Sequence, residues 1–481
     1  MEYLSNYIGG KMQKAASGEY LDVIDPSVGQ VYAQAPDSGE EDINAAVKAA
    51  SEAFEAWSES SAEYRSEILL KIAALIDKKH EELSRAESKD NGKPLWLARQ
   101  VDIPRASANF RFFAKAITQY SADSYEMPDA INYTLRQSLG VVACISPWNL
   151  PLYLFSWKIA PALAAGNCVV AKPSEVTPMT ANMLSEICIE AGLPAGVLNI
   201  VHGYGYKVGD AINRHPKIKA ISFTGSTRVG GEIAKIAAPM FKKLSLEMGG
   251  KNPNIIFADC DYEKMLKNTI RSSFGNQGQI CLCGSRIFIE RSIYDDFKRD
   301  FVKIAEGLIP GPPAKETTKM GAIVSKTHYE KILSYIELAK EEGGTILCGG
   351  EAVFPEGHES GYYIKPTIVE GLKYDSRCNM EEVFGPFVTI TPFDTEEEVL
   401  KMANATQYGL SSTLWTENLS RAHRMAKKIE AGIVWINTWL LRDLRTPFGG
   451  IKQSGVGREG GFDALDFFTE PKNICIAFDK A

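Results

Sequence analysis

Between Gly140 and Glu247, short apolar runs alternate with stretches of helical pattern, and this alternation limits the possible folds more than any other feature. Gly140-Val-Val-Ala-Cys-Ile145, Asn167-Cys-Val-Val-Ala171, Val197-Leu-Asn-Ile-Val201 and Ala220-Ile-Ser-Phe-Thr224 read as buried strands. Helical patterns over 178–191, 206–214 and 228–237 separate or follow them. Strands joined by helices at this spacing close into a parallel sheet wrapped on both faces. A similar alternation resumes after about residue 250, so a second α/β domain is expected. A chain of 481 residues has room for about three domains.

Before this region, Tyr20 to Pro26 reads as a short strand ending in a proline turn. Ile43, Val47, Ala50, Phe54 and Trp57 lie at helical spacing, with Ser38 as the expected cap. A second amphipathic helix carries Ile68, Ile72, Leu75 and Ile76 and ends before Gly92 and Pro94. A third runs from Val101 to Tyr120, where Pro104 suits a first turn. Arg105 and Arg111 on it are solvated by default. Ile131 to Leu135 is strand-like.

The net charge of −7 gives no attraction to nucleic acid or anionic lipid, so neither partner is expected. Nine cysteines, odd in number and scattered, fit a reducing compartment and a cytoplasmic location. No signal peptide is visible at the N-terminus. The longest near-apolar run, Ile159 to Ala171, is too short for a bilayer and includes Asn167. The histidines lie apart, without a His-Glu-x-x-His pattern, so no metal site is expected.

The stretch from Arg271 to Arg286 sets Cys281 between Gly278 and Gly284 with small polar flanks. Such a setting suits a nucleophilic thiol that a ligand approaches, whereas an inert structural cysteine more often sits in an apolar run. At the end of one strand, Lys172-Pro-Ser-Glu175 offers an ammonium to ribose hydroxyls and a carboxylate to an adenosine 2′-hydroxyl, and that carboxylate disfavours a 2′-phosphate. Phe223-Thr-Gly-Ser226 puts Gly225 and Ser226 at a helix N-terminus suited to a pyrophosphate. Gly203, Gly205 and Gly209 fall one residue short of the dinucleotide fingerprint, with Val208 at the missing glycine.

Ser146-Pro-Trp-Asn149, Lys172-Pro-Ser-Glu175, Phe223-Thr-Gly-Ser226, Leu246-Glu-Met-Gly-Gly250, Asn276-Gln-Gly-Gln-Ile-Cys281, Glu381-Glu-Val-Phe-Gly-Pro386 and Pro447-Phe-Gly-Gly450 together resemble the NAD(P)-dependent aldehyde dehydrogenase superfamily, in the family's order and over nearly the whole chain. The resemblance implies an aldehyde dehydrogenase-like α/β fold, with two doubly wound domains and a small β oligomerisation arm. It implies Cys281 as the nucleophile, with Asn149 and the Cys281 amide holding the oxyanion. Glu247 is implied as the base that hydrolyses the thioester to a free acid; relatives that pass the acyl group to coenzyme A typically lack this base. Cys283 falls where the family places no catalysis. NAD contacts are implied at Ile145, Ser146, Trp148, Lys172, Ser174, Glu175, Gly205, Gly209, Phe223, Thr224, Gly225, Ser226, Met248 and Gly249, with Glu382 and Phe384 positioning the nicotinamide end. Lys158 and Glu470 match a proposed proton path. His328 replaces a glutamine common in the family.

Arg105 and Arg442 fall on the family's substrate tunnel, beside Leu150, Tyr153 and Trp157. An arginine there matches a carboxylate, so a semialdehyde is the expected substrate. The competing reading ties these arginines to Asp102 or Asp443, with Arg445 structural. Asp102-Ile-Pro-Arg-Ala106, Asn149-Leu-Pro-Leu-Tyr153, Ile280-Cys-Leu-Cys283 and Trp439 to Arg445 resemble the subgroup that oxidises 2-aminomuconate and 2-hydroxymuconate semialdehydes. A broad or betaine-aldehyde-type dehydrogenase is the enzymatic rival, and a non-catalytic structural protein the rival of another class. By resemblance, 1–117 and 139–247 form the cofactor domain and 248–450 the catalytic domain. Segments 118–138 and 451–481 form the arm and C-terminal tail, through which a homodimer or homotetramer assembles.

Overall fold

A computed structural model describes residues 1–478. Five parallel strands, Val141–Ile145, Cys168–Lys172, Leu198–Ile200, Ile218–Thr224 and Lys243–Glu247, form the centre of an eight-stranded sheet. In space the first of these strands sits in the middle. The second and third follow on one side and the fourth and fifth on the other. The order in which strands are added therefore reverses between Val141–Ile145 and Ile218–Thr224, which lie parallel, and the crevice beyond their carboxyl ends is where such sheets bind ligands. Antiparallel edges come from Asn6–Ile8 and Lys11–Gln13 on one side and Gly455–Val456 on the other.

A second, seven-stranded sheet has six parallel strands and one antiparallel edge, Thr345–Cys348. Its strands are apolar on both faces because helices cover both. In Arg286–Glu290, Ile287 and Ile289 join one core while Phe288 joins the other. A third sheet pairs Thr469–Ala477 with Ala130–Ser138, which pairs with Ser124–Met127. Its faces expose Tyr125, Met127, Leu135 and Ile476. Ile451–Lys452 pairs with Tyr408–Gly409, so the segment after residue 450 touches three sheets before it ends. No helix among the described residues is long and apolar enough to cross a membrane.

Several expected elements shift. The first helix, Glu40–Ser58, is capped by Gly39. The Ser38 hydroxyl instead accepts from Asn6, and Asp42 takes the Gly39 amide. The second helix is two, Ala62–Lys78 and His80–Asn91, broken at Lys79. Ile103–Ile117 is shorter than its pattern and follows a π-turn at Ala98–Asp102. Helix Pro151–Ala164 is buried on every side, as an all-round apolar helix must be. Its start carries Asn149 into the crevice.

Candidate active site

Cys281 stands on a strained turn that follows helix Tyr262–Phe274. Asn276, Gln277 and Gly278 take positive φ in succession, at 50°, 55° and 71°. For residues with a β-carbon this costs about 1–2 kcal/mol each, so the surroundings must impose it. They do so through hydrogen bonds. Asn276 Nδ2 donates to the Asn149 carbonyl at 3.0 Å, and Gln277 Nε2 donates to Ala322 O at 3.0 Å. Val324 N donates to Gln279 Oε1 at 3.1 Å. A β-carbon on Gly278 would lie 2.0 Å from the Gly385 carbonyl, so glycine there lets the turn lie against the loop that bears Phe384. Asn252 Nδ2 holds the Cys281 and Cys283 carbonyls.

Cys281 is half-buried and lines a cleft of about 240 Å³. Burial pushes its thiol well above the ordinary range, Glu382 and Glu247 add to the rise, and Arg442 opposes it. The shift favours the protonated thiol. Cys283 packs with Ile280, Leu282, Trp439 and Phe448. The Asn149 side chain donates to Gln279 O at 3.0 Å, which leaves its second N–H for another acceptor.

Glu247 ends the strand Lys243–Glu247 and is buried, with neither carboxylate oxygen hydrogen-bonded. Burial raises its pKa, the nearby Glu459 carboxylate raises it further, and Lys158 and Arg458 oppose both. Lys158 Nζ pairs with Glu459 at 2.6 Å and reaches Ser222 at 3.1 Å. The expected Lys158–Glu470 path does not form. Glu470 is on the exposed arm and pairs with Lys243 at 3.4 Å, because strand Thr469–Ala477 carries it away from the crevice. Glu459 was missed, although its setting between Gly457 and Gly460 resembles those of the other site acids.

The cleft is lined by Trp148, Asn149, Thr224, Gly225, Ser226, Met248, Gly249, Cys281, His328, Glu382 and Phe384, along with Pro147 and Lys331. A β-carbon on Gly249 would fall 2.2 Å from the Glu382 carboxylate, which receives the Gly250 amide at 2.9 Å. Ser226 caps helix Thr227–Ala237 through Val229 N. Farther along the sheet edge, Ile145 and Ser146 end one strand, and Lys172 Nζ meets Glu175 at 3.0 Å beside Ser174. Burial alone would raise Glu175, yet Lys172 and the Gly205 amide hold it below the ordinary range. Gly205 and Gly209 bound a single π-turn. His328 Nε2 bonds to the Phe384 carbonyl at 2.7 Å, and Phe384 itself has φ 65°. Burial lowers His328 to about 4, so its neutral ring donates.

On the other side of Cys281, Arg442 Nη1 donates to the Tyr153 hydroxyl at 2.9 Å, and its guanidinium lies 4.0 Å from the Phe448 ring centre. Arg105 lies 5.3 Å from the Tyr153 ring and 5.5 Å from Trp157. Leu150 and Tyr153 pack together. Arg105 is therefore drawn into the interior, not solvated by default, and two of its nitrogens are buried without a partner. Arg111 does stay near solvent, paired with Asp77 at 2.6 Å. The competing salt bridges are absent among the described residues. Asp102 pairs with Lys93 and Asp443 with Arg445. Burial lowers the Arg105 pKa and the positive charge of Arg442 lowers it further, while Tyr153 and Asp443 oppose them.

Comparison with known proteins meets this geometry from outside. The sequence profile of the aldehyde dehydrogenase family matches residues 12–474. The chain is 50% identical to a Bos taurus 2-aminomuconic semialdehyde dehydrogenase, covering 98% of both chains. It is 46% identical to a 2-hydroxymuconic semialdehyde dehydrogenase from Pseudomonas sp. strain CF600, covering 99% of this chain and all of that one. An NAD+ complex of an aldehyde dehydrogenase from Bacillus cereus superposes with a TM-score of 0.97 at 40% identity, over 99% of this chain and 97% of that one. With the family profile matched over residues 12–474 and relatives 46–50% identical over nearly the full length, this chain belongs to the aldehyde dehydrogenase family.

Proposed function

We propose that the protein oxidises a carboxylate-bearing semialdehyde, of the 2-aminomuconate or 2-hydroxymuconate type, to the dicarboxylic acid with NAD as cofactor. The observation that carries the substrate class is the pair Arg105 and Arg442, which share Tyr153 and Trp157 as neighbours and form no salt bridge among the described residues, Asp443, whose charge reaches Arg105, being paired with Arg445. Two like charges without a salt-bridged counter-ion raise the free energy of the empty tunnel, and a substrate carboxylate relieves it. The names of the relatives agree with this reading.

The cleft fits the cofactor. Gly225 and Gly249 leave bare backbone along its floor, Ser226 opens a helix N-terminus, and Glu175 stands where a ribose hydroxyl would be met. Ile145, Ser146, Lys172, Ser174, Phe223 and the Gly205–Gly209 turn belong to its adenosine side, and Met248, Glu382 and Phe384 to its nicotinamide side. Bound NAD supplies the hydride acceptor. Cys281 attacks the aldehyde carbon while its proton passes to water. The Asn149 amide and the Cys281 N–H hold the oxygen of the thiohemiacetal. After oxidation to the thioester, Glu247 takes a proton from water, and hydroxide attack releases the acid and frees Cys281. Lys158 and Glu459 stand behind Glu247 as a charged relay. We assign 1–117 and 139–247 to cofactor binding and 248–450 to catalysis. The exposed edge and faces of the third sheet suit assembly with further copies.

The direct test is NADH formation with 2-hydroxymuconate semialdehyde against a neutral aldehyde of similar length, with Cys281→Ser as the blank. The expected result is a kcat/KM at least about 30-fold higher for the semialdehyde, the low end of what a desolvated carboxylate contact is worth; preference for the neutral aldehyde would make the arginines structural and place the enzyme in the broad class. The cofactor offers a second check. In this reading Glu175 meets the 2′ hydroxyl, and its lowered pKa keeps it ionised, so kcat/KM for NADP should fall at least about 10-fold below that for NAD, the effect of one like-charge contact of about 1.4 kcal/mol. Equal use of both would remove Glu175 from that role.

A further inference from the structure

Behind Asn149 lies a charged cluster that no step above uses. Lys93 is fully buried in the turn Asn91-Gly-Lys-Pro94, where Gly92 takes φ 83°. Its Nζ lies 2.5 Å from Asp102, 3.7 Å from Glu87 and 3.2 Å from the carbonyl oxygen of Asn149. The same carbonyl accepts from Asn276 Nδ2 at 3.0 Å and lies 3.4 Å from Asn91 Nδ2. Glu87 in turn accepts from the Thr180 hydroxyl at 2.8 Å and faces the Leu152 amide at 3.3 Å. Three donors thus converge on one carbonyl, from the turn after helix His80–Asn91 and from the turn before Cys281. An ion cluster sealed from water is expensive to build, and an apolar replacement of similar volume would often fold as well. A stability role alone leaves its convergence on Asn149 unexplained.

We infer that Lys93 is a positioning residue that clamps the Asn149 backbone so that its side-chain amide meets the oxyanion formed at Cys281. The inference rests on the oxyanion role given to Asn149 above. The clamp also reaches the substrate tunnel, because Asp102 lies one helical turn before Arg105. A pre-set donor stabilises developing charge without reorganising during the reaction. A displacement of about 1 Å can cost about 10²-fold in rate.

The test is a double-mutant cycle in the full-length enzyme with NAD and the semialdehyde, using Lys93→Met, Asn149→Ala and both together. The readouts are the single-turnover rate of NADH formation, the NAD dissociation constant and the rate at which Cys281 is alkylated by iodoacetamide. Lys93→Met is expected to slow NADH formation about 10- to 100-fold, with NAD affinity and alkylation within about 2-fold of wild type. In the Asn149→Ala background it should add less than about 2-fold, since interacting residues are non-additive. Asp102→Asn, which keeps Lys93 but loosens its hold, should show the same pattern to a smaller degree, and it serves as the test if Lys93→Met does not fold. The inference is overturned if the two losses multiply, or if NAD affinity and alkylation fall along with the rate. An Asn149→Ala enzyme with an unchanged rate would instead overturn the oxyanion assignment, and the clamp with it.

Discussion

Glu247→Gln is expected to convert steady turnover into a single burst. One equivalent of NADH per Cys281 should appear, followed by a steady rate about 10²- to 10⁴-fold below wild type, the usual worth of a positioned general base. Attack needs only that the thiol lose its proton, which water can accept, whereas hydrolysis of the thioester needs an activated water molecule. Trapped acyl-enzyme detected by mass spectrometry would identify the stalled step. Loss of the burst together with the steady rate would assign Glu247 to attack instead, and acceleration by coenzyme A with a thioester product would overturn hydrolysis as the fate of the acyl group. The pH profile carries the same signature. Burial and Glu459 raise the Glu247 pKa, and the base works only when deprotonated. Wild-type kcat should therefore fall as pH drops through a value above the ordinary glutamate range. Because the charges of Glu459 and Lys158 act on it directly, that value reflects the cluster and not Glu247 alone.

Arg442→Ala is expected to lower kcat/KM for the semialdehyde by roughly 30- to 5,000-fold, since truncating one partner of a buried charge pair costs about 2–5 kcal/mol. For a neutral aldehyde the change should stay within about 3-fold. The contrast between substrates is the decisive quantity. Arg442 also packs on Phe448 and Trp157, so its loss disturbs the tunnel wall for any substrate. Equal losses for both aldehydes would reduce Arg442 to that packing role.

Side-chain chemistry in glycine-bounded turns was open to direct reading. Cys281 and the turns Lys172–Glu175 and Phe223–Ser226 stand out by residue type and local pattern, because a strand that ends in a small-residue turn presents its next polar side chain at the sheet edge, whereas Asn149, Glu247, Glu382 and Phe384 are singled out only by the family resemblance. The strand–helix alternation likewise determined a parallel sheet. Partnerships across the chain were not open in this way. Whether Lys158 meets Glu470 or Glu459 depends on where the last strand goes. Glu470 leaves with the arm, while Glu459 stays on the stretch that returns to the first sheet at Gly455–Val456. Arg105 looks solvated in its helix, and only the approach of Tyr153 and Trp157 from helix Pro151–Ala164 shows it buried and unpaired. The Lys93 cluster joins residues 87, 93, 102 and 149, and no local pattern marks them as neighbours. Sequence by itself determined which groups are available for the chemistry, since that is a property of residue type and local backbone. Only the tertiary structure decided which charges are paired and which are left for a ligand, because pairing and desolvation depend on segments distant in the chain being packed together.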